Sequence, residues 1–252
     1  MKIDIVLTAC NMSNHYLSLF PLVIKVWKKK FNIDCYLILV ADNIPTNLQQ
    51  YQQQIILFKP IENIHTAFIA QVIRILYPAL FENKNVMITD VDIFPISYDY
   101  FIKSIQNLAD DMFITYRDKY LKQNMLAICY NVANSSTWKE IFQINNIQDI
   151  HQTIKLWYQP EYNGVKNCIG WFTDQKKLFE YVMKWNNLNR LIIFKDHEIN
   201  FRRLDKKDRS YILKQITQVK KDISSGVYTD FHCIKPYVEY GNIIHSIVDS
   251  IC

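Results

Sequence analysis

Two aspartates one residue apart, Asp90 and Asp92, close a short apolar run: Asn85-Val86-Met87-Ile88-Thr89-Asp90-Val91-Asp92-Ile93-Phe94-Pro95. Residues i and i+2 of an extended chain point to the same side. The spacing therefore predicts a buried strand over 86–89 with both carboxylates converging at its carboxyl end and Val91 turned away. Carboxylates that close repel unless a cation lies between them, and hard oxygen donors suit Mg²⁺ or Mn²⁺. The chemistry predicted is a divalent-metal site that holds a diphosphate.

Glycine usage points the same way. The 252 residues include four glycines, Gly164, Gly170, Gly226 and Gly241, all in the last part of the chain. A glycine-rich phosphate loop after the first strand, of either the dinucleotide or the P-loop kind, is thereby excluded. Phosphates must be held by something else, and a metal on Asp90 and Asp92 would hold them.

The elements that must position these acids follow from periodicity. A first strand is predicted over 2–8, followed by a loop of small and polar residues, Thr8-Ala9-Cys10-Asn11. Residues 15–29 have helical spacing, with a kink or restart at Pro21. A continuous apolar run over 35–41 predicts a strand covered on both faces and ending at Asp42. Residues 47–54 form a polar turn or short helix, 55–58 a third strand, and 62–80 an amphipathic helix with Arg74 off its apolar stripe. Strand, helix, strand, turn, strand, helix, strand predicts an α/β fold with a Rossmann-like, mostly parallel central sheet flanked by helices. Ligands of such sheets bind beyond the carboxyl ends of the strands, where Thr8, Asp42, Asp90 and Asp92 are expected. Further strands are predicted over 111–116 and 125–130, and helices from Trp138 (with Thr137 and Glu140 at capping-box spacing), over 147–158 and over 174–185.

Several longer segments resemble the GT-A glycosyltransferases, which bind a metal and a nucleotide-sugar diphosphate through an Asp-X-Asp. Arg74-Ile75-Leu76-Tyr77-Pro78 followed by Val86 to Asp92 is similar to their arginine helix and metal strand. Asp230-Phe231-His232-Cys233-Ile234-Lys235-Pro236-Tyr237 is similar to their C-terminal His-X-X-Gly-X-X-Lys-Pro-Trp segment, shortened and without the glycine. Trp171-Phe172-Thr173-Asp174-Gln175 is similar to their acceptor-side segment. The chain resembles small GT-A domains of large DNA viruses and of bacterial polysaccharide loci.

The resemblance implies one GT-A domain over 1–252, its nucleotide-sugar half about 1–95 and its acceptor half about 96–252. It implies a metal, Mn²⁺ or Mg²⁺, on Asp90, Asp92 and His232, with Asp90 on ribose or metal and Lys235 on the diphosphate. Thr8, Ala9, Cys10 and Asp42 would line the base and ribose pocket, and Arg74 would contact the donor or clamp the aspartate pair. Asn131, Trp171 and Gln175 would touch sugar or acceptor. Asp174 would be the general base of an inverting transfer. The activity implied is transfer of a sugar from a nucleoside diphosphate, UDP foremost, to a glycan or glycoprotein hydroxyl. A retaining transferase of the same fold and a sugar-phosphate nucleotidyltransferase remain as alternatives, the second disfavoured by the missing glycine-rich segment.

Bulk composition bounds the rest. Hydrophobic residues make up 50% and charged residues 21% of the chain, which is enough apolar surface for one substantial core. A net charge of +5 favours anionic ligands but is too diffuse to imply nucleic acid. The basic stretch from Arg202 to Lys221 is interleaved with acids and is expected to be a solvated helix face. Six cysteines without a CxxC pair, no signal-like N-terminus and no apolar run of membrane-spanning length predict a cytoplasmic chain (host cytoplasm if viral), not a secreted one.

Overall fold

The computed structural model describes residues 1–252. Its elements in chain order are β1 (Ile5–Asn11), α1 (Asn14–Leu17), α2 (Phe20–Val26), β2 (Asp34–Val40), β3 (Ile55–Phe58), α3 (Thr66–Leu76), β4 (Asn85–Thr89), β5 (Ile93–Pro95), β6 (Phe113–Thr115) and β7 (Tyr130–Asn134). There follow α4 (Ser135–Phe142), α5 (Ile147–Trp157), α6 (Thr173–Met183), β8 (Leu191–Ile193), β9 (Arg203–Leu204), α7 (Arg209–Lys214), α8 (Ile216–Ser224), β10 (Asp230–His232) and α9 (Tyr237–Ile251). No helix is long and apolar enough to cross a membrane.

Seven strands form the central sheet in the order β3-β2-β1-β4-β7-β6-β8. Four of its pairings are parallel, and β7 runs antiparallel to both neighbours, so the sheet is mostly parallel as expected. Its apolar runs are covered on both faces. Leu37 and Leu39 of β2 enter one core layer, with α2 and α9, while Ile38 and Val40 enter the other, with α3, α4 and α5. That is why β2 has no polar alternation. A second, three-stranded sheet, β5-β10-β9, brings the C-terminal segment against the chain just after β4.

Pro21 acts as expected: α1 ends at Leu17 and α2 restarts with the proline in its first turn. The long helix predicted over 62–80 is shorter. Asn63 has a left-handed φ of 60°, and Pro78 converts the end into a 3₁₀ turn, Tyr77–Leu80. The cap of α4 is Asn134, whose side chain accepts from the Ser136 N–H, rather than a Thr137 and Glu140 box.

Two strand boundaries move, with consequences for the site. β1 continues to Asn11, so Thr8, Ala9 and Cys10 are buried strand residues and not a loop. Side chains this small and uncharged fit a covered strand as well as a turn, and pairing with β2 over the whole length of β1 decides for the strand. β7 starts at Tyr130, where the strand predicted over 125–130 ends.

Candidate functional site

The chain leaves the sheet at the carboxyl end of β4 and turns through Asp90, Val91 and Asp92 before β5 begins. Because this is a turn and not an extended segment, the two carboxylates do not share a side. Asp90 pairs with Arg74, while Asp92 pairs with Lys235 and His232. The convergence expected from the i, i+2 spacing is thereby corrected. Each acid has its own cation, which removes the repulsion that a shared metal was inferred to relieve.

Arg74 is buried, not a residue lying off the packed stripe of α3. Its guanidinium bonds Asp90 through Nη1 and Asp174 Oδ2 through Nη2 at 3.0 Å. Arg74 thus holds one acid of the expected pair, Asp90, and in place of Asp92 its second partner is Asp174. Burial opposes the charge on Arg74, but Asp90 and Asp174 outweigh it and raise its pKa. Asp174 lies in the first turn of α6 and is 3% exposed. Its Oδ1 accepts the Gln175 N–H at 2.8 Å, and burial outweighs Arg74 and raises its carboxyl pKa.

The other half of the site comes from β10. The Cys233 N–H donates to the Asp92 carbonyl at 2.8 Å, tying the C-terminal segment to the turn after β4. Lys235 Nζ then stands 2.6 Å from Asp92 Oδ2 and 3.6 Å from the centre of the Tyr16 ring. His232 Nε2 lies 3.3 Å from the same Asp92 oxygen, and His232 Nδ1 lies 3.7 Å from Asp205 Oδ2. Burial pushes the Asp92 carboxyl up, but the His232 hydrogen bond and the Lys235 charge outweigh it and hold it well below the usual range. His232 is pulled down by burial and raised more by Asp205 and Asp92.

For a metal, the donors match in kind. Asp92 and His232 are a carboxylate and an imidazole already in contact, a pair suited to Mn²⁺. They are not gathered into a set of three: no group of three or more His, Cys, Asp or Glu side chains stands ready for an ion. Asp90, the third expected ligand, is held by Arg74.

The remaining expected contacts divide. Gln175 keeps a buried side-chain oxygen with no hydrogen-bond partner, a free acceptor beside Asp174. Trp171 is half-buried in the turn before α6. Asp42 is exposed just past β2. Asn131 is a residue of the central sheet. It is fully buried inside β7, its Oδ1 accepting from Thr115 at 2.8 Å and its Nδ2 donating to the Ala127 carbonyl at 2.9 Å, so its amide is already used. Cys10 is buried too, its thiol pushed up to about 12, and it packs in the core. The residue that ends β1 is Asn11, half-buried and bonded through Nδ2 to Thr66 Oγ1 at 3.1 Å.

Sequence reasoning missed Tyr16, Asp205 and Arg203. The segment from Arg202 was expected to be a solvated helix face. Instead Arg203 lies in β9 and grips the fully buried Asp230 through Nε and Nη2 at 2.9 and 2.5 Å, while Asp205 faces His232. Alternating acids and bases look alike whether they are solvated or paired across strands, so only the acidic neighbour of each base in space could have told them apart.

No family model matches the chain, and no curated protein matches it. Among solved structures it is similar to the glycosyltransferase GlyE of Streptococcus pneumoniae TIGR4, at 13% identity over 100% of this chain and 62% of that one, with a TM-score of 0.51. The apo form of GlyE aligns at 14% identity over 93% and 55% of the two chains, with a TM-score of 0.50. A glycosyltransferase involved in glycosylation of the major capsid of PBCV-1 aligns at 10% identity over 96% and 98%, with a TM-score of 0.44. The chain spans less than two thirds of the length of the GlyE structures. At these identities the likeness to GlyE establishes a shared fold.

Proposed function

We propose that this protein is a metal-dependent glycosyltransferase that moves a sugar from a nucleoside-diphosphate sugar, UDP-linked foremost, to a hydroxyl of a glycan or glycoprotein. The observation that carries this reading is the joining of two carboxylate–cation groups, Asp174–Arg74–Asp90 and His232–Asp92–Lys235, at the carboxyl end of β4. The fold shared with GlyE supports it.

In this reading Asp92 and His232 would hold Mn²⁺ or Mg²⁺. When bound, the ion supplies positive charge to the leaving diphosphate. Lys235 supplies more, from a position fixed by Asp92 and Tyr16, so the charge that develops meets a preset environment. The bond between the anomeric carbon and the diphosphate oxygen breaks, and its electron pair leaves with the diphosphate. The acceptor oxygen bonds to the anomeric carbon, and its proton passes to the Asp174 carboxylate. A carboxyl with a raised pKa suits that task. This course inverts configuration.

A second reading has its own observation. Both Asp174 oxygens already accept hydrogen bonds, one from Arg74 and one from the Gln175 N–H. That favours a carboxylate that positions the sugar, with the acceptor proton passing to the departing diphosphate and configuration retained. NMR of the first-formed anomer separates the two.

The test of the function is a panel of nucleotide sugars with Mn²⁺, followed for slow hydrolysis and for transfer to added glycans. One donor is expected to be consumed, with loss of about 100-fold or more in Asp92→Ala, the range for removing one preset electrostatic group. If the wild type consumes no donor in the panel, the proposal is wrong.

A further inference from the structure

The three-stranded sheet carries a row of charged side chains. Asp230 and His232 fall on one face of β10, because strand side chains repeat every second residue. β9 runs parallel to β10, with Arg203 opposite Asp230 and Leu204 opposite Phe231. One step further, the same register sets Asp205 beside His232. Arg203 and Asp230 form an ion pair, and Asp205 with His232 repeats it with the charges exchanged: Asp205 Oδ2 is 3.7 Å from His232 Nδ1. On the other flank β5 runs antiparallel to β10, with Ile93 opposite His232. Asp92, one residue earlier, meets His232 Nε2 at 3.3 Å. The imidazole therefore lies between two carboxylates, one from each neighbour of β10.

His232 Nδ1 is closed off from solvent and has no hydrogen-bond partner within reach. A buried polar atom in that state calls for one. Asp205 has an oxygen to spare. Its Oδ1 accepts the Lys207 N–H at 3.0 Å, and the Asp208 side chain accepts the Asp205 N–H at 3.2 Å. This reciprocal cap fixes the turn after β9 and leaves Oδ2 facing the ring. An imidazole that offers its Nε2 lone pair carries its proton on Nδ1, and the acceptor of that proton sets the orientation of the ring. We propose that Asp205 is the positioning residue of His232: its Oδ2 takes the Nδ1–H bond and holds the ring so that Nε2 faces Asp92 and the cation bound there. The cation rests on the metal-dependent reading above, whereas the orientation of the ring does not.

The experiment compares wild type with Asp205→Ser and Asp205→Asn. Serine and asparagine cap a helical turn about as well as aspartate, so both variants are expected to keep the wild-type melting temperature. Serine is too short to reach the ring, whereas asparagine keeps an acceptor for the Nδ1–H. The first readout is NMR of the metal-free protein with ¹⁵N-labelled histidine, the His232 signal being assigned by its absence in His232→Gln. A slowly exchanging proton on His232 Nδ1 is expected in wild type and Asp205→Asn and not in Asp205→Ser. The second readout is Mn²⁺ affinity by electron paramagnetic resonance. Asp205→Ser is expected to bind at least about tenfold more weakly, the scale for losing a group that orients a metal-binding histidine, and Asp205→Asn to recover most of that loss. The assignment is overturned if the Nδ1 proton is unprotected in wild type or stays protected in Asp205→Ser. Mn²⁺ binding equally weak in the two variants overturns it as well. If the proton behaves as expected but wild type binds no Mn²⁺, the positioning of His232 by Asp205 stands and the metal-dependent reading falls.

Discussion

Arg74 holds two carboxylates at once, Asp90 after β4 and Asp174 on α6, and so joins the turn after β4 to α6 through one guanidinium. Its planar fork suits that geometry and a lysine does not. Arg74→Met leaves the buried Asp174 without its cation. It is expected to lower stability by about 3–5 kcal/mol, the range for breaking a buried pair from one side, measured by urea denaturation. Arg74→Lys should lose less stability and still impair turnover. Asp92 gives a pH test. Its folded pKa is depressed, so its contribution is present above the unfolded value near ~4 and is lost as pH falls through the folded value. The stability gap between wild type and Asp92→Asn should therefore be widest above about pH 5 and shrink in acid. A gap that widens in acid contradicts the pairing.

At the scale of elements, β10 decides where His232 and Lys235 go, and β10 is held by a pair that the sequence hid. Asp230 is fully buried, gripped by Arg203 of β9 and bonded by the Tyr130 hydroxyl of β7 at 2.9 Å. Arg203→Met should destabilise by about 3–5 kcal/mol, because it leaves a buried charge unpaired, and the double change Arg203→Met with Asp230→Leu should recover much of that loss. Chemical denaturation of the three variants checks this. Gly164 is an element-level restraint of another kind. Its φ is +76°, and a Cβ there would meet His65 Cε1 at 2.9 Å. The His65 Nδ1 caps α3 by accepting the Ala67 N–H at 3.2 Å. Gly164→Ala should therefore cost about 1–2 kcal/mol through backbone strain and a disturbed cap. Hydrogen exchange should be fastest to change in the first turn of α3.

At the scale of the molecule, the site lies where two sheets meet, at the carboxyl end of β4 and the near edge of β5-β10-β9. A ligand that touches both sheets must stabilise their junction. UDP with Mn²⁺ at about 100 times its dissociation constant should add about 2.7 kcal/mol by linkage. For a chain of this size that is a rise of about 5–10 °C in melting temperature, read by scanning calorimetry. Asp92→Ala should abolish the shift, and an unchanged wild type would falsify binding at this junction.

The sequence by itself determined the α/β class, the covered strands and the break at Pro21, and with the family resemblance it singled out Asp90, Asp92, Arg74, Asp174, His232 and Lys235, which the fold gathers into two ion-pair groups. Those features are local: periodicity, proline geometry, and polar groups following apolar runs are set by neighbours in the chain. Tertiary structure decided who pairs with whom. It turned Asp90 and Asp92 apart, buried Arg74 between two acids, took Asn131 into the sheet, and moved Arg203 and Asp205 from an expected solvated face to the side of β10 and His232. An ion pair across 27 residues, such as Arg203 with Asp230, or across 100, such as Arg74 with Asp174, has no periodic signature. Its strength comes from burial and from a partner's position, and both exist only once the chain has folded.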